Sequence, residues 1–305
     1  MRWWCSAIVE KWSWTPKPYL GVWLLSGALV AGYWISMRRH GPDGSDPTLD
    51  DELTERSRRR DRRRPYQFAL GIVFLWIASD WPVGTLGASY LSSIHMLQYM
   101  LYTLAAAPML LLGTPEWMWR RILSALHLEG IHRILARPVV AAITSNVILI
   151  VTHSPIAVDT LRASQFGSFA LDMIWLVSGI ILWSPIIDPI PESRASSAPV
   201  KLVYLFAAAA LMPMIPGGFL TFSSQPLYST YELAPRLAGF DALNDQQTAG
   251  VLMKVGNLPV IWTVMGVIWF RWYKRESDPA GRTIVRDPVT GAPLRKPAAV
   301  ARPNS

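Results

Sequence analysis

Apolar residues along this chain come in long runs separated by short polar stretches. A helix rises 1.5 Å per residue and a bilayer's hydrocarbon is about 30 Å thick, so roughly 20 apolar residues cross it. Seven runs meet or approach that length: Tyr19–Met37, Tyr66–Tyr90, Leu91–Leu112, Pro138–His153, Phe166–Ile187, Val200–Thr221 and Thr248–Tyr273. The pattern predicts an all-α polytopic membrane protein built as a bundle of seven transmembrane helices. Asp80, Trp81, Pro82 and Gly84 interrupt the second run, so its last part is expected to be re-entrant or an exposed loop. The fourth is short, with Arg133 and Arg137 placed to snorkel at its start.

Between the runs, Asp46–Arg64 is first acidic and then strongly basic, and the chain after Glu276 is rich in Pro, Arg and Ala. Both read as solvated, and the arginine block suits an anionic lipid surface. Thr114, Pro115 and Glu116 open an expected interfacial helix carrying Trp117, Trp119, Ile122, Leu123, Leu126 and Ile131, with arginines opposite. The predicted organisation is an extracytoplasmic segment over residues 1–18, a first span over 19–37 and a charged cytoplasmic loop over 38–65. A six-helix membrane core over 66–273 and a basic tail over 274–305 complete it.

Positive charge sets the expected orientation, because Arg-rich short loops stay in the cytoplasm. The loops on one side hold 23 Arg and Lys and those on the other hold 5, with Lys254 inside the last span. That tally predicts the N-terminus outside and the C-terminus cytoplasmic; the family resemblance given below further implies residence in a bacterial cytoplasmic (inner) membrane. Only 16% of residues are charged, against about 25% in soluble domains. The net charge of +8 flanks the spans rather than one face, which argues against a nucleic-acid partner. Cys5 is the single cysteine, so an internal disulfide and a thiolate-rich metal site are excluded.

Polar side chains within spans need partners and mark the places to look for function. His95 falls about 6 Å into the third span, with Gln98, Tyr99 and Tyr102 on the same helical face. His153 ends the fourth span, and Asp172 lies roughly 9 Å into the fifth. Met253 and Lys254 sit two turns into the seventh. Imidazole, thioether and carboxylate together suit copper, whereas an Asp172–Lys254 ion pair would withdraw Asp172 from any metal. A haem held by His95 and His153 is a further reading. No phosphate loop, zinc-protease or nucleophile-elbow motif is present, and no enzymatic turnover is expected.

Several motifs carry a family resemblance: Trp81-Pro82, His95-Met96-Leu97-Gln98, Ala107-Pro108-Met109 running to Gly113-Thr114-Pro115, His153, Leu182-Trp183-Ser184-Pro185, Pro226-Leu227-Tyr228 with Tyr231, and Asp245-Gln246-Gln247 with Gly250 and Met253. Over residues 66–273 the chain resembles the CtaG family of cytochrome c oxidase assembly factors, seven-span proteins associated with copper delivery. Tyr99 replaces the second histidine of the family's His-Met-x-Gln-His pattern. Ser168 and Asp172 stand where paired histidines are usual, and Lys254 where a Trp is common. The resemblance implies assistance in copper insertion or maturation of a haem-copper oxidase, with His95, His153, Met96, Asp172 and Met253 as candidate ligands. Oxidase subunits and a periplasmic copper chaperone are the implied partners. A metal-free accessory subunit of a respiratory oxidase is the alternative.

Overall fold

Each predicted span folds as a helix, because a backbone that leaves water must satisfy its own N–H and C=O groups. The helices are α1 (Leu20–His40), α2 (Asp51–Ser79), α3 (Val83–Ser89), α4 (Ser92–Gly113), α5 (Glu116–Ala125), α6 (Glu129–Leu135), α7 (Pro138–Thr152), α8 (Pro155–Arg162), α9 (Gln165–Ile187), α10 (Ala198–Phe222), α11 (Ser229–Glu232) and α12 (Ala242–Ser277). The computed structural model describes residues 2–40, 51–190, 196–237, 239 and 241–277, and the backbone of 285–286 and 293–294. Those last two pairs form a short antiparallel ladder, β1 (Val285–Arg286) with β2 (Pro293–Leu294). The remainder of the tail and residues 41–50 of the charged loop lie outside the described residues.

This is a multi-pass membrane protein. Among the described residues five helices are long and apolar enough to cross a bilayer, and up to seven spans result if each bent pair counts as one. The last turns of α2 and α3 form one such pair, bent by 45°, and α6 with α7 the other, bent by 92°. Of the two expectations for residues 80–90 the exposed loop is corrected, since α3 is a short helix with Gly84, Thr85, Gly87, Ala88 and Ser89 buried; its 45° bend from α2 fits a broken span or a re-entrant segment. The charged loop is corrected as well, since helix begins at Asp51 and runs through Pro65 into the second span.

Three of the long helices widen into a π-helical turn, at Leu101–Ala106, Leu205–Leu211 and Leu252–Gly256. Each precedes a proline by two or three residues: Pro108, Pro213 and Pro259. Proline lacks an N–H, and its ring collides with the carbonyl four residues back. A wider turn moves that carbonyl aside, and side chains of other residues then occupy the carbonyls it frees. Asn257 Nδ2 donates to Ala209 O at 2.7 Å, Asn146 Nδ2 to Ala208 O at 3.2 Å, and Trp183 Nε1 to Thr103 O at 2.9 Å.

Helix α4 packs on α2 and α9, α9 packs on α7, and α10 on α12. Gly179 lets α9 approach α4 closely; a Cβ there would meet the Ala107 Cβ at 2.7 Å and the Thr103 Cα at 2.8 Å. Helix α1 is peripheral, tied to α2 where Tyr33 stacks on Phe68 at 4.1 Å. The expected interfacial helix is two helices, α5 and α6, split where His127 takes a left-handed conformation. Its apolar residues divide: Met118 and Leu123 are buried and Trp117 and Trp119 pack on the core, while Ile122, Leu126 and Ile131 are exposed.

Residues 2–7 fold back onto the bundle. Trp4 and Cys5 are wholly buried. The segment is laced down by Ala7 N–H donating to Arg162 O at 2.8 Å, Ser89 Oγ to Ser6 O at 2.8 Å, and Tyr90 Oη to Glu10 O at 2.7 Å.

Candidate functional site

The N-terminal turn of α4 is fixed by a carboxylate from another helix. Asp245, in the first turn of α12, accepts from Ser92 N–H at 2.6 Å, Ser92 Oγ at 2.8 Å and Ser93 Oγ at 2.5 Å. A carboxylate there satisfies free N–H groups and complements the positive helix end. The neighbouring glutamines hold the chain before α11: Gln246 Oε1 accepts from Leu227 N–H at 2.6 Å, and Gln247 Nε2 donates to Ser223 O at 3.3 Å. The Asp245-Gln246-Gln247 run is therefore a clamp that sets where His95 begins its helix.

His95 is wholly buried, one turn into α4. Its Nδ1 lies 2.8 Å from Tyr231 Oη, which is itself 2.6 Å from Gly87 O. The carbonyl only accepts, so the phenol donates its hydrogen there and takes one from Nδ1. Burial pushes the Tyr231 phenol's pKa upward, which keeps that hydrogen in place. His153, just past the end of α7, donates from Nδ1 to Leu149 O at 2.8 Å, and its own carbonyl accepts from Tyr228 Oη at 2.9 Å. Each ring thus carries a hydrogen on Nδ1, which in the neutral imidazole leaves the lone pair on Nε2. Both Nε2 atoms are buried and without a hydrogen-bond partner.

The two rings are 5.7 Å apart, centroid to centroid. Trp175 of α9 lies 4.8 Å from His95 and 5.5 Å from His153, and Tyr99 lies 4.7 Å from His153. Both imidazoles are thus packed among aromatic rings.

Asp172 is wholly buried, and its partner is not Lys254. The Lys254 ammonium lies 4.7 Å over the Phe222 ring, whereas Arg162, at the end of α8, places Nη2 3.1 Å from Asp172 Oδ1. Trp4 Nε1 donates to Asp172 Oδ2 at 2.8 Å, and Cys5 Sγ reaches it at 3.8 Å. The guanidinium also lies 5.2 Å over Trp175 and 3.4 Å from His95 Nδ1. Arg162 thus joins the acidic side of the cluster to its histidine side. Sequence reasoning missed this role by counting Arg162 only as an outer-loop charge. Its one signal is a place four residues after the buried Val158, on the inward face of α8.

Met96 and Met253 are buried, and neither has a contact with Asp172 among the hydrogen bonds and ion pairs of the described residues. They line a small cavity of about 20 Å3 with Tyr99, Leu149 and Asn257. The structure therefore brings His95 and His153 together, sets Met96 and Met253 beyond Tyr99, and engages Asp172 with Arg162 and Trp4. Among the described residues no three side chains of the His, Cys, Asp and Glu types converge on a point.

Copper suits neutral imidazole and thioether donors, and imidazoles whose Nδ1 is tied to a phenol or carbonyl are oriented as ligands commonly are. The two bare Nε2 atoms fit such an ion; the adjacent guanidinium limits the charge the site tolerates.

Comparisons with curated proteins and with solved structures give no match. The model of the cytochrome c oxidase caa3 assembly factors, Caa3_CtaG, matches residues 52–275, from the start of α2 almost to the end of α12. The matched region contains His95, His153, Arg162, Asp172 and Tyr231 and excludes Trp4 and Cys5. With nearly three quarters of its length matched, this chain belongs to the family of cytochrome c oxidase caa3 assembly factors.

Proposed function

We propose that this assembly factor holds a copper ion as cargo on His95 and His153 and passes it to a haem-copper oxidase during maturation. The observation that carries the reading is the pair of buried Nε2 atoms with no hydrogen-bond partner, on imidazoles held in one tautomer by Tyr231 and Leu149. Burying a lone pair unsatisfied in a low-dielectric interior is costly, and a bound soft ion relieves it. Met96 and Met253 provide thioethers on the far side of Tyr99. Asp172 acts as counter-ion to Arg162 rather than as a ligand. In this reading the His95 end faces outward, the C-terminus is cytoplasmic, and the membrane is the bacterial inner one. Oxidase subunits and a periplasmic copper chaperone meet the protein at that outer end, and no bond is made or broken catalytically.

A second reading is favoured by one observation. The fully buried Arg162 cation within hydrogen-bonding range of His95 opposes a second cation, so the cluster serves a metal-free accessory protein equally well. Copper content of detergent-purified protein separates the two. The copper reading expects up to one copper per chain, lost in His95→Ala and in His153→Ala, and an oxidase lacking CuB when the gene is deleted. Copper-free wild-type protein after loading, or a normal CuB in the deletion strain, overturns it.

A further inference from the structure

The end of the bundle opposite His95 has an open recess of about 450 Å3 between α5 and α6, lined by Arg120, Arg121, Ser124, Glu129, His132 and Arg133. We propose that it binds the phosphate headgroup of an anionic membrane phospholipid such as phosphatidylglycerol. Arg120, Arg121 and Arg133 line it with one carboxylate, Glu129, and since Arg120 is ion-paired with Glu116 the excess positive charge rests on Arg121 and Arg133. Arg120 is held by Glu116 at 2.7 Å, an i, i+4 pair that fixes its position. Arg121 and Arg133 make no ion pair or side-chain hydrogen bond among the described residues. Guanidinium forks match phosphate oxygens geometrically and shed water more readily than an ammonium.

Placement identifies the phosphate's source. Helix α6 meets α7 at 92°, so where α7 crosses the bilayer α6 lies along its surface. Ile122, Leu126, Ile131 and Ile134 are exposed on the same two helices, which suits hydrocarbon beside the recess rather than water. An apolar groove between the first turns of α7 and α10, with Val139, Ile143 and Val203 in its walls, opens at this end and accommodates acyl chains. A soluble nucleotide or nucleic acid would leave both apolar surfaces unused. The proposal rests on the membrane placement of α7 and is independent of copper.

The test uses the full chain in nonionic detergent, titrated by native mass spectrometry with phosphatidylglycerol, phosphatidylcholine and inorganic phosphate. Wild type should retain phosphatidylglycerol in preference to phosphatidylcholine. R121Q/R133Q should bind it roughly 30-fold more weakly, two surface charges' worth, R121K/R133K should fall between that variant and wild type because it keeps the charge and loses the fork, and the control R38Q/R39Q should keep the affinity. Equal affinity for the two lipids in wild type overturns the proposal without reference to any variant. So does an unchanged R121Q/R133Q, and so does inorganic phosphate binding as tightly as the lipid.

Discussion

Arg162 is the residue on which the polar cluster turns. It is wholly buried, ion-paired with Asp172 and beside His95, so it neutralises a carboxylate that would otherwise lie unpaired among aromatic rings. Removing one partner of such a pair strands the other charge, whereas replacing both with apolar groups is often neutral. Arg162→Met is therefore expected to cost about 3 to 5 kcal/mol of unfolding free energy. The double variant Arg162→Met with Asp172→Leu should recover most of that loss, as read by denaturant unfolding in detergent; equal losses would mean that the pair is not coupled. Cys5 makes a second prediction. Burial and the nearby Asp172 carboxylate raise its thiol's pKa well above the ordinary value, so the unreactive protonated form persists past neutral pH. Maleimide should label Cys5 only after unfolding, or after Trp4→Ala opens the segment, and rapid labelling of folded wild type would contradict its burial. The histidines were legible in the sequence because an imidazole at membrane depth stands out from apolar neighbours. Arg162 was not, because an arginine between two spans reads first as an orientation signal, and its burial depends on residues 3–7 folding back across α8.

At the scale of elements, apolar run length located the long helices α1, α4, α7, α9 and α10 to within three residues, since the bilayer fixes how much chain must be apolar. Bends and extensions were less visible. Helix α2 begins fifteen residues ahead of Tyr66 because its arginine-rich turns, though polar, are good helix formers. Pro108, Pro213 and Pro259 were visible, but their consequence, a widened turn rather than a break, involves donors that Asn146, Asn257 and Trp183 supply from elsewhere in the chain to freed carbonyls. Asn257→Leu should thus strand the Ala209 carbonyl and destabilise the fold by about 1 to 3 kcal/mol. Glycines give a matched pair of tests. Gly179→Ala forces a methyl against α4 and should cost about 1 to 3 kcal/mol, while Gly266, with open space around it, should accept Ala without loss. Equal thermal unfolding midpoints for the two variants would refute the close α4–α9 approach.

For the molecule as a whole, the decisive contacts join the two halves of the sequence. Trp4 reaches Asp172 and Tyr231 reaches His95, so the site is complete only when the N-terminal segment, α4, α8, α9 and α11 are all in place. Periodicity and charge describe one segment at a time, which is why the apolar helices came through and the closure of residues 2–18 over the cluster did not. Deleting residues 2–10 should lower the thermal midpoint and expose Trp175 to aqueous quenchers, and an unchanged fluorescence spectrum would show the segment to be dispensable. The same contact has a bearing on biosynthesis. Trp4 leaves the ribosome 168 residues ahead of the carboxylate it caps. The nascent leader must therefore wait, unsatisfied, until the fifth long hydrophobic segment has been inserted. Sealing of the polar pocket cannot precede that insertion, and a chain stalled before Tyr231 is made leaves His95 without the phenol that orients it.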